Sequence, residues 1–294
     1  MHTAFFTLFG EVLFDNFPDG SRILGGAPFN VAWHLQALGR QALFISRVGE
    51  DEAGREILAA MQSVGMTRSA MQIDAAHPTG SVAVSITDGQ PSYRILDQQA
   101  YDYINAEALQ HQPPQSLLYH GSLALRNPVS RQTLLDLKHS WRGPIFLDVN
   151  LRAPWWQADE VLGWGAGADW LKLNDEELEL LLPGEQSISN KMHLLQQTYH
   201  LSGVVVTRGR QGALALDSSR ELFSIAPDGN IDIVDTVGAG DAFAAVLLLG
   251  IAENWPMAQT LKRAQDFASA LVGRRGATVT DPAFYQGFIE AWRQ

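Results

Sequence analysis

The 294-residue sequence contains no cysteine, which excludes disulfides and thiolate metal sites and is compatible with a reducing compartment. Positive charge is scarce: 21 Lys and Arg face 32 Asp and Glu, a formal net charge of −11. A nucleic-acid binder carries a basic face, so no nucleic-acid partner is expected. Long apolar runs are also missing. The longest, Ala242 to Ala252, is too short to cross a bilayer, so no membrane partner is expected either. The amino terminus has no basic segment, and its apolar run stops at Gly10-Glu11. The expectation is therefore no secretory signal and a cytoplasmic location. No G-x-G-x-x-G follows the first strand-like run, and no glycine-rich turn ends in Gly-Lys-Ser/Thr. Dinucleotide-binding and P-loop architectures are disfavoured accordingly. Internal repeats, long linkers and low-complexity tracts are absent.

What is present is a chain 46% hydrophobic, enough for one large α/β domain. Short apolar runs at Ala4–Phe9, Leu43–Val48, Leu117–His120, Ile145–Val149, Trp170–Leu173 and Val204–Thr207 read as strands. Several are apolar on both faces, as in a parallel sheet covered by helices. Helical patterns occupy Ala27–Leu38, Ala53–Val64, Pro128–Lys138, Asp175–Leu182 and Lys191–Tyr199. Three more follow at Asp241–Ile251, Met257–Val272 and Pro282–Arg293. The alternation predicts an open α/β/α sandwich with a mostly parallel central sheet. Ser81–Thr87 and Gln90–Leu96 flank Asp88-Gly89, a pair that predicts a tight hairpin. With Val12–Phe17 and Ile23–Leu24 it would form a small β flap outside the main sheet, from about residues 12–24 and 80–97.

Chemistry concentrates where strands end. Asp235-Thr236-Val237-Gly238-Ala239-Gly240-Asp241 joins a strand-like run, Ile231 to Val234, to an apolar helix. Bare N–H groups at a helix start favour an anion. A carboxylate there, Asp241, makes sense if a neutral hydroxyl must lose its proton beside an anionic group, which points to phosphoryl transfer to an alcohol. The alternative is a glycine-rich turn with a capping aspartate. Gly25-Gly26-Ala27-Pro28-Phe29-Asn30 would let the backbone approach a ligand and aim the Asn30 amide at a hydroxyl; a plain strand-to-helix turn with a local cap is the alternative. Asp15 follows the first strand, where ligands sit in open α/β sheets, or is a solvated loop carboxylate. Asp148-Val149-Asn150-Leu151-Arg152 offers Arg152 to phosphate or sugar oxygens, or as an ordinary surface arginine. Asn174 and Glu177 would hold a hydrated Mg²⁺ or simply cap a helix. Thr207-Arg208-Gly209-Arg210-Gln211-Gly212 resembles a phosphate-cradling turn.

Taken together, Gly25–Asn30 and Asp235–Asp241 resemble the two signature regions of the ribokinase-like (PfkB) sugar kinases, and the intervening motifs fall in matching order along essentially the whole chain. Gly10-Glu11, Gly-Gly-Ala-Pro-x-Asn and Asn150-Leu151-Arg152-x-Pro154-x-Trp156 are most similar to fructokinases. The resemblance implies ATP and Mg²⁺ as cofactors and a hexose, fructose first, as acceptor. 2-Keto-3-deoxygluconate, another sugar or a nucleoside is the alternative, and a catalytically silent sugar- or nucleotide-binding protein is a third. It makes Asp241 the general base and Gly238, Ala239 and Gly240 the anion hole. Asp15, Gly26, Asn30, Tyr93 (or Ile95) and Arg152 would hold the sugar. Asn174, Thr207, Gly209, Gly212 and Gln265 would hold ATP. Asn174 and Glu177 would steady Mg²⁺ through water, Asp235 with the Arg275-Gly276-Ala277 loop would hold K⁺, and the flap would serve a homodimer.

Overall fold

The computed structural model describes residues 5–87, 90–107, 117–229 and 232–293. Ala4, the Asp88-Gly89 pair and Ile231 lie outside the described residues. In chain order the strands are β1 (Phe5–Phe9), β2 (Leu13–Asn16), β3 (Arg22–Gly25), β4 (Gln41–Gly49), β5 (Met71–Asp74), β6 (Gly80–Thr87), β7 (Gln90–Ile95), β8 (Leu117–His120), β9 (Ile145–Asp148), β10 (Trp170–Asn174), β11 (Gly203–Thr207), β12 (Ala213–Leu216) and β13 (Leu222–Ile225). The helices are α1 (Ala27–Ala37), α2 (Glu52–Ser63), α3 (Pro128–Ser140), α4 (Ala158–Trp164), α5 (Asp175–Leu181), α6 (Ile188–Tyr199), α7 (Ala239–Ala252), α8 (Met257–Val272) and α9 (Pro282–Trp292).

Nine strands form the main sheet in the order β13-β12-β11-β10-β9-β8-β1-β4-β5. All neighbours from β11 to β5 are parallel; β12 and β13 add an antiparallel edge. The two-residue period of a strand sends its apolar side chains to both faces. Phe6, Leu8, Phe44, Phe146 and Val205 pack under α1, α7 and α8. Phe9, Leu43, Ile45, Leu147, Leu171 and Val204 pack under α3, α5 and α6. A parallel sheet needs this double cover, because its strands are apolar on both sides. The most enclosed helix is α7: Ala242 through Gly250 are all buried, between α1, α8 and the sheet.

The chain leaves β1 for β4 on one side and later returns to β8 on the other. That reversal makes a crevice beyond the carboxyl ends of the central strands, where open α/β sheets bind ligands. Over it stands a second sheet of four strands, in the order β3-β2-β6-β7. Its central pair, β2 with β6, is parallel, and its outer pairs are antiparallel.

The predicted helices all form, and the predicted strands form with shifts of a residue or two, with one exception. Residues 232–234 are not a strand. The Val234 and Asp235 N–H groups instead donate to the Val272 carbonyl at 2.8 and 3.1 Å, which pins the segment to the end of α8. Ile233 and Val234 are exposed there, so their apolar character marks a surface and not a buried strand. Strands β5, β12 and β13 and helix α4 are additions to the sequence-based picture.

Candidate active site

The amino terminus of α7 lies between two cavities. Gly238 precedes the helix in the left-handed region (φ 78°), and a Cβ there would stand 2.5 Å from Ala277, so only glycine fits. The resulting turn closes with Ala239 N–H donating to the Thr236 carbonyl at 3.3 Å. Of the expected anion-hole donors, the Ala239 N–H is therefore engaged in the turn. The N–H groups of Gly238, Gly240 and Asp241 have no acceptor among the described residues and face the positive end of the helix.

The smaller cavity, about 380 Å³, is lined by Glu11, Asp15, Gly26, Asn30, Arg152, Gly238 and Asp241, with Leu13, Val82, Tyr93, Ile95 and Leu123 as its apolar wall. All five expected sugar-site residues meet here. Asp15 comes from β2 and Tyr93 from β7, so the four-stranded sheet supplies one wall, while α1, α7 and the β9 loop supply the others. Asn30 lines the cavity and also contacts Asp241. Its Nδ2 donates to Asp241 Oδ2 at 2.7 Å, so the amide orients the carboxylate, and its buried Oδ1 has no partner among the described residues.

Burial pushes the Asp241 carboxyl up to about 6. The Asn30 amide opposes the shift, Asp148 adds to it, and the Lys172 and Arg152 charges oppose it. Asp15 is also raised by burial, with Arg152 opposing. Glu11, 3% exposed, is pushed up to about 7, chiefly by burial, and its Oε2 has no partner among the described residues. In the sequence, Glu11 stands out only as part of the Gly10-Glu11 pair, with no role assigned to its carboxyl.

The larger cavity, about 610 Å³, is lined by Thr207, Gly209, Gly212, Gln265, Thr236, Ala239 and Gly240, among others. Four of the five expected nucleotide residues are therefore together. Gly212 (φ 79°) could carry no side chain, since a Cβ would lie 1.9 Å from the Ile225 carbonyl. Gln265 is turned along its own helix, donating to Ser269 Oγ at 3.1 Å.

Asn174, Glu177 and Asp235 line neither cavity. Asn174 and Glu177 form a reciprocal capping box at the start of α5. The Glu177 oxygens accept from Leu151 N (2.7 Å) and Asn174 N (2.8 Å), so both already serve the backbone. Asp235 accepts from Val237 N and Gly276 N, both at 3.0 Å, and so ties the signature turn to the Gly276 loop.

Beneath the α7 terminus lies a group that sequence reading missed. Lys172 of β10 donates to both Asp148 oxygens, at 2.9 and 2.8 Å, and Tyr119 of β8 donates to Asp148 Oδ2 at 3.1 Å. The available signal was a single lysine inside an otherwise apolar strand, Trp170-Leu171-Lys172-Leu173.

Sheet, crevice and helix terminus together define a small-molecule phosphotransferase of the ribokinase-like class. A fructokinase double mutant from Vibrio cholerae O395, solved in its fructose, ADP and potassium ion bound form, superposes with a TM-score of 0.84 at 24% identity, covering 98% of each chain. The pfkB family carbohydrate kinase model matches residues 10–283, and the chain belongs to that family. It is 32% identical over 262 residues to the fructokinase of Klebsiella pneumoniae, covering 83% of each chain. It is 28% identical to the aminoimidazole riboside kinase of Salmonella typhimurium, covering 88% of this chain and 84% of that one.

Proposed function

We propose that this carbohydrate kinase moves the γ-phosphoryl group of ATP to a hydroxyl of fructose. The observation that carries the mechanism is the Asp241 carboxylate, fixed by Asn30 at 2.7 Å where the two cavities meet. ATP occupies the larger cavity, with Thr207, Gly209 and Gly212 along its phosphates and Gln265 toward the base. The sugar occupies the smaller one, with Asp15 accepting hydroxyl hydrogen bonds, Gly26 allowing close approach and Tyr93 above. Asp241 takes the proton of the acceptor hydroxyl. That oxygen bonds to the γ-phosphorus as the bond to the β,γ-bridging oxygen breaks, and ADP leaves with the electron pair. The N–H groups of Gly238 and Gly240 receive the charge of the transferring group, with that of Asp241 in place of the occupied Ala239 donor, and Arg152 adds a cation from the sugar side.

Mg²⁺, when bound, neutralises phosphate charge. Glu177 already accepts two backbone bonds and, like Asn174, lines neither cavity, so no direct ligation is proposed: Asn174 and Glu177 would act on a hydrated ion only through water. Asp235, with the Gly276 loop, is the proposed K⁺ position. The chain is read as one kinase domain whose four-stranded sheet is a lid and a homodimer surface, acting in the cytoplasm.

Fructose is favoured over an acidic sugar by charge. Among the described residues, Arg152 is the one cation lining the smaller cavity, against Glu11, Asp15 and Asp241. Arg22 is committed to Glu56 and stacks on Phe14, 4.9 Å away, and Arg94 is exposed and lines neither cavity. The likeness to an aminoimidazole riboside kinase keeps a nucleoside as the second reading. A coupled ADP-release screen over ketoses, aldoses, sugar acids and nucleosides decides. The expected result is highest kcat/KM with D-fructose; a preference for 2-keto-3-deoxygluconate or a nucleoside overturns the substrate, and no turnover with any acceptor overturns the reaction.

A further inference from the structure

The buried pair under α7 serves neither a cap nor a surface. Tyr119, Asp148 and Lys172 come from three adjacent parallel strands, β8, β9 and β10, with Asp148 and Lys172 in direct register. The face they share is that of Phe146 and Trp170, the one α7 covers. Lys172 is 5% exposed and Asp148 1%. The Lys172 Nζ reaches to 3.8 Å from where a Cβ of Gly240 would be, so its ammonium sits directly beneath the helix terminus. Two of its protons point at Asp148.

Such a pair adds little to stability that apolar side chains would not supply, so its retention asks for another role. The electrostatic surroundings of Asp241 provide one. Facing that carboxylate are Asn30 from α1, Glu11 after β1, Tyr119 from β8, Asp148 from β9, Arg152 from the following loop and Lys172 from β10. Asp148 is acidic, so a carboxylate at Asp241 works against a like charge. The Lys172 ammonium is tied to Asp148 by two charge-assisted hydrogen bonds, at 2.9 and 2.8 Å, so the Asp148 charge is compensated at contact.

We propose that Lys172 is a positioning residue for phosphoryl transfer: by neutralising Asp148 across the strand ladder and placing a fixed cation under the Gly240 N–H, it keeps Asp241 anionic at the mouth of the anion site. The proposal rests on Asp241 as the base in the transfer reaction above, but its electrostatic core is testable without turnover.

The test is a ¹³C NMR titration of the Asp241 side-chain carboxyl in the ligand-free protein, assigned by its loss in Asp241→Asn. Lys172→Met should move the Asp241 titration upward by about 1 pH unit, since Asp148 is left uncompensated. Lys172→Arg, which keeps the charge, should leave it in place. The double variant Lys172→Met with Asp148→Asn removes both charges and should return the midpoint to that of the parent. A purely structural lysine predicts no such restoration. A midpoint unmoved in Lys172→Met, or not restored in the double variant, overturns the proposal. If Lys172→Met fails to fold, Lys172→Gln takes its place in the same comparison. The acid limb of kcat/KM for D-fructose should follow the NMR midpoint. A parent protein that titrates as described but releases no ADP overturns the kinase mechanism alone.

Discussion

Asp241 carries a conflict that its neighbours only partly relieve. Its carboxyl is pushed up to about 6 by burial, above the usual carboxylate range. A base must be deprotonated to act, so kcat/KM for the sugar should be flat above that value and fall about tenfold per pH unit below it. Asp241→Asn should lower kcat by on the order of 10³-fold. It should also melt no lower than the parent at pH 8, because the substitution removes a charge that burial disfavours. Retained turnover would sink the base assignment. Glu11 is the sharper case, because the Gly10-Glu11 motif marks its position but not the burial of its carboxyl. Its carboxyl is at about 7 in the folded protein, against 4.5 for an ordinary glutamate. The folded state therefore holds this proton more tightly than the unfolded one. That contribution is fully present below pH 4.5 and is lost as pH rises through 7. The shift corresponds to about 3 kcal/mol at most. Glu11→Gln keeps a neutral group at every pH, so its stability relative to the parent should rise between pH 5 and pH 8 in paired urea melts. A constant difference across that range would show that the Glu11 proton is not linked to folding.

At the scale of elements, most of the fold is readable because the signals are local. Continuous apolar runs mark the strands of a doubly covered sheet, and Asp281-Pro282 marks the start of α9. The Ile231–Val234 run misleads because an exposed apolar segment and a buried strand look alike without knowing what covers them. Strands β12 and β13 escape notice because they extend the sheet as a short antiparallel edge, whose pairing depends on which strand precedes it in space. Strand order hides Lys172 for the same reason: its partner Asp148 is adjacent only once β9 and β10 pair. The capping box of α5 shows a local motif reaching further than its own helix. Glu177 holds its own N-cap and also the Leu151 N–H beside Arg152, so one carboxylate joins α5 to the loop that lines the sugar cavity. Removing it leaves two backbone donors without their acceptor. Glu177→Ala should cost about 2–3 kcal/mol in urea unfolding. The loss should be the same with excess Mg²⁺ as with EDTA, since the bonds involved belong to the backbone. Full stability in EDTA would contradict that assignment.

The whole molecule is built as two surfaces meeting over a crevice. The large sheet and α7 make the floor and hold the reacting groups. The four-stranded sheet brings Asp15, Val82, Tyr93 and Ile95 from above. On the proposed reading this separation has a chemical use: a transferring group open to water would meet water as a competing acceptor, which closure of the upper sheet would exclude. Tyr93 is 54% exposed and lines the smaller cavity, the proposed sugar site. It does not line the larger cavity, so its loss should be felt by one substrate only. Tyr93→Ala should raise KM for D-fructose by about tenfold, the equivalent of about 1.4 kcal/mol, and leave KM for ATP within about twofold. It should also raise the ratio of ADP released without sugar to ADP released with sugar, because a lid that closes less well admits water. Steady-state kinetics with and without fructose give both readings. If KM for both substrates rises together, Tyr93 supports the fold of the upper sheet; if neither moves and the ADP ratio is unchanged, the sheet does not close over the sugar through this residue.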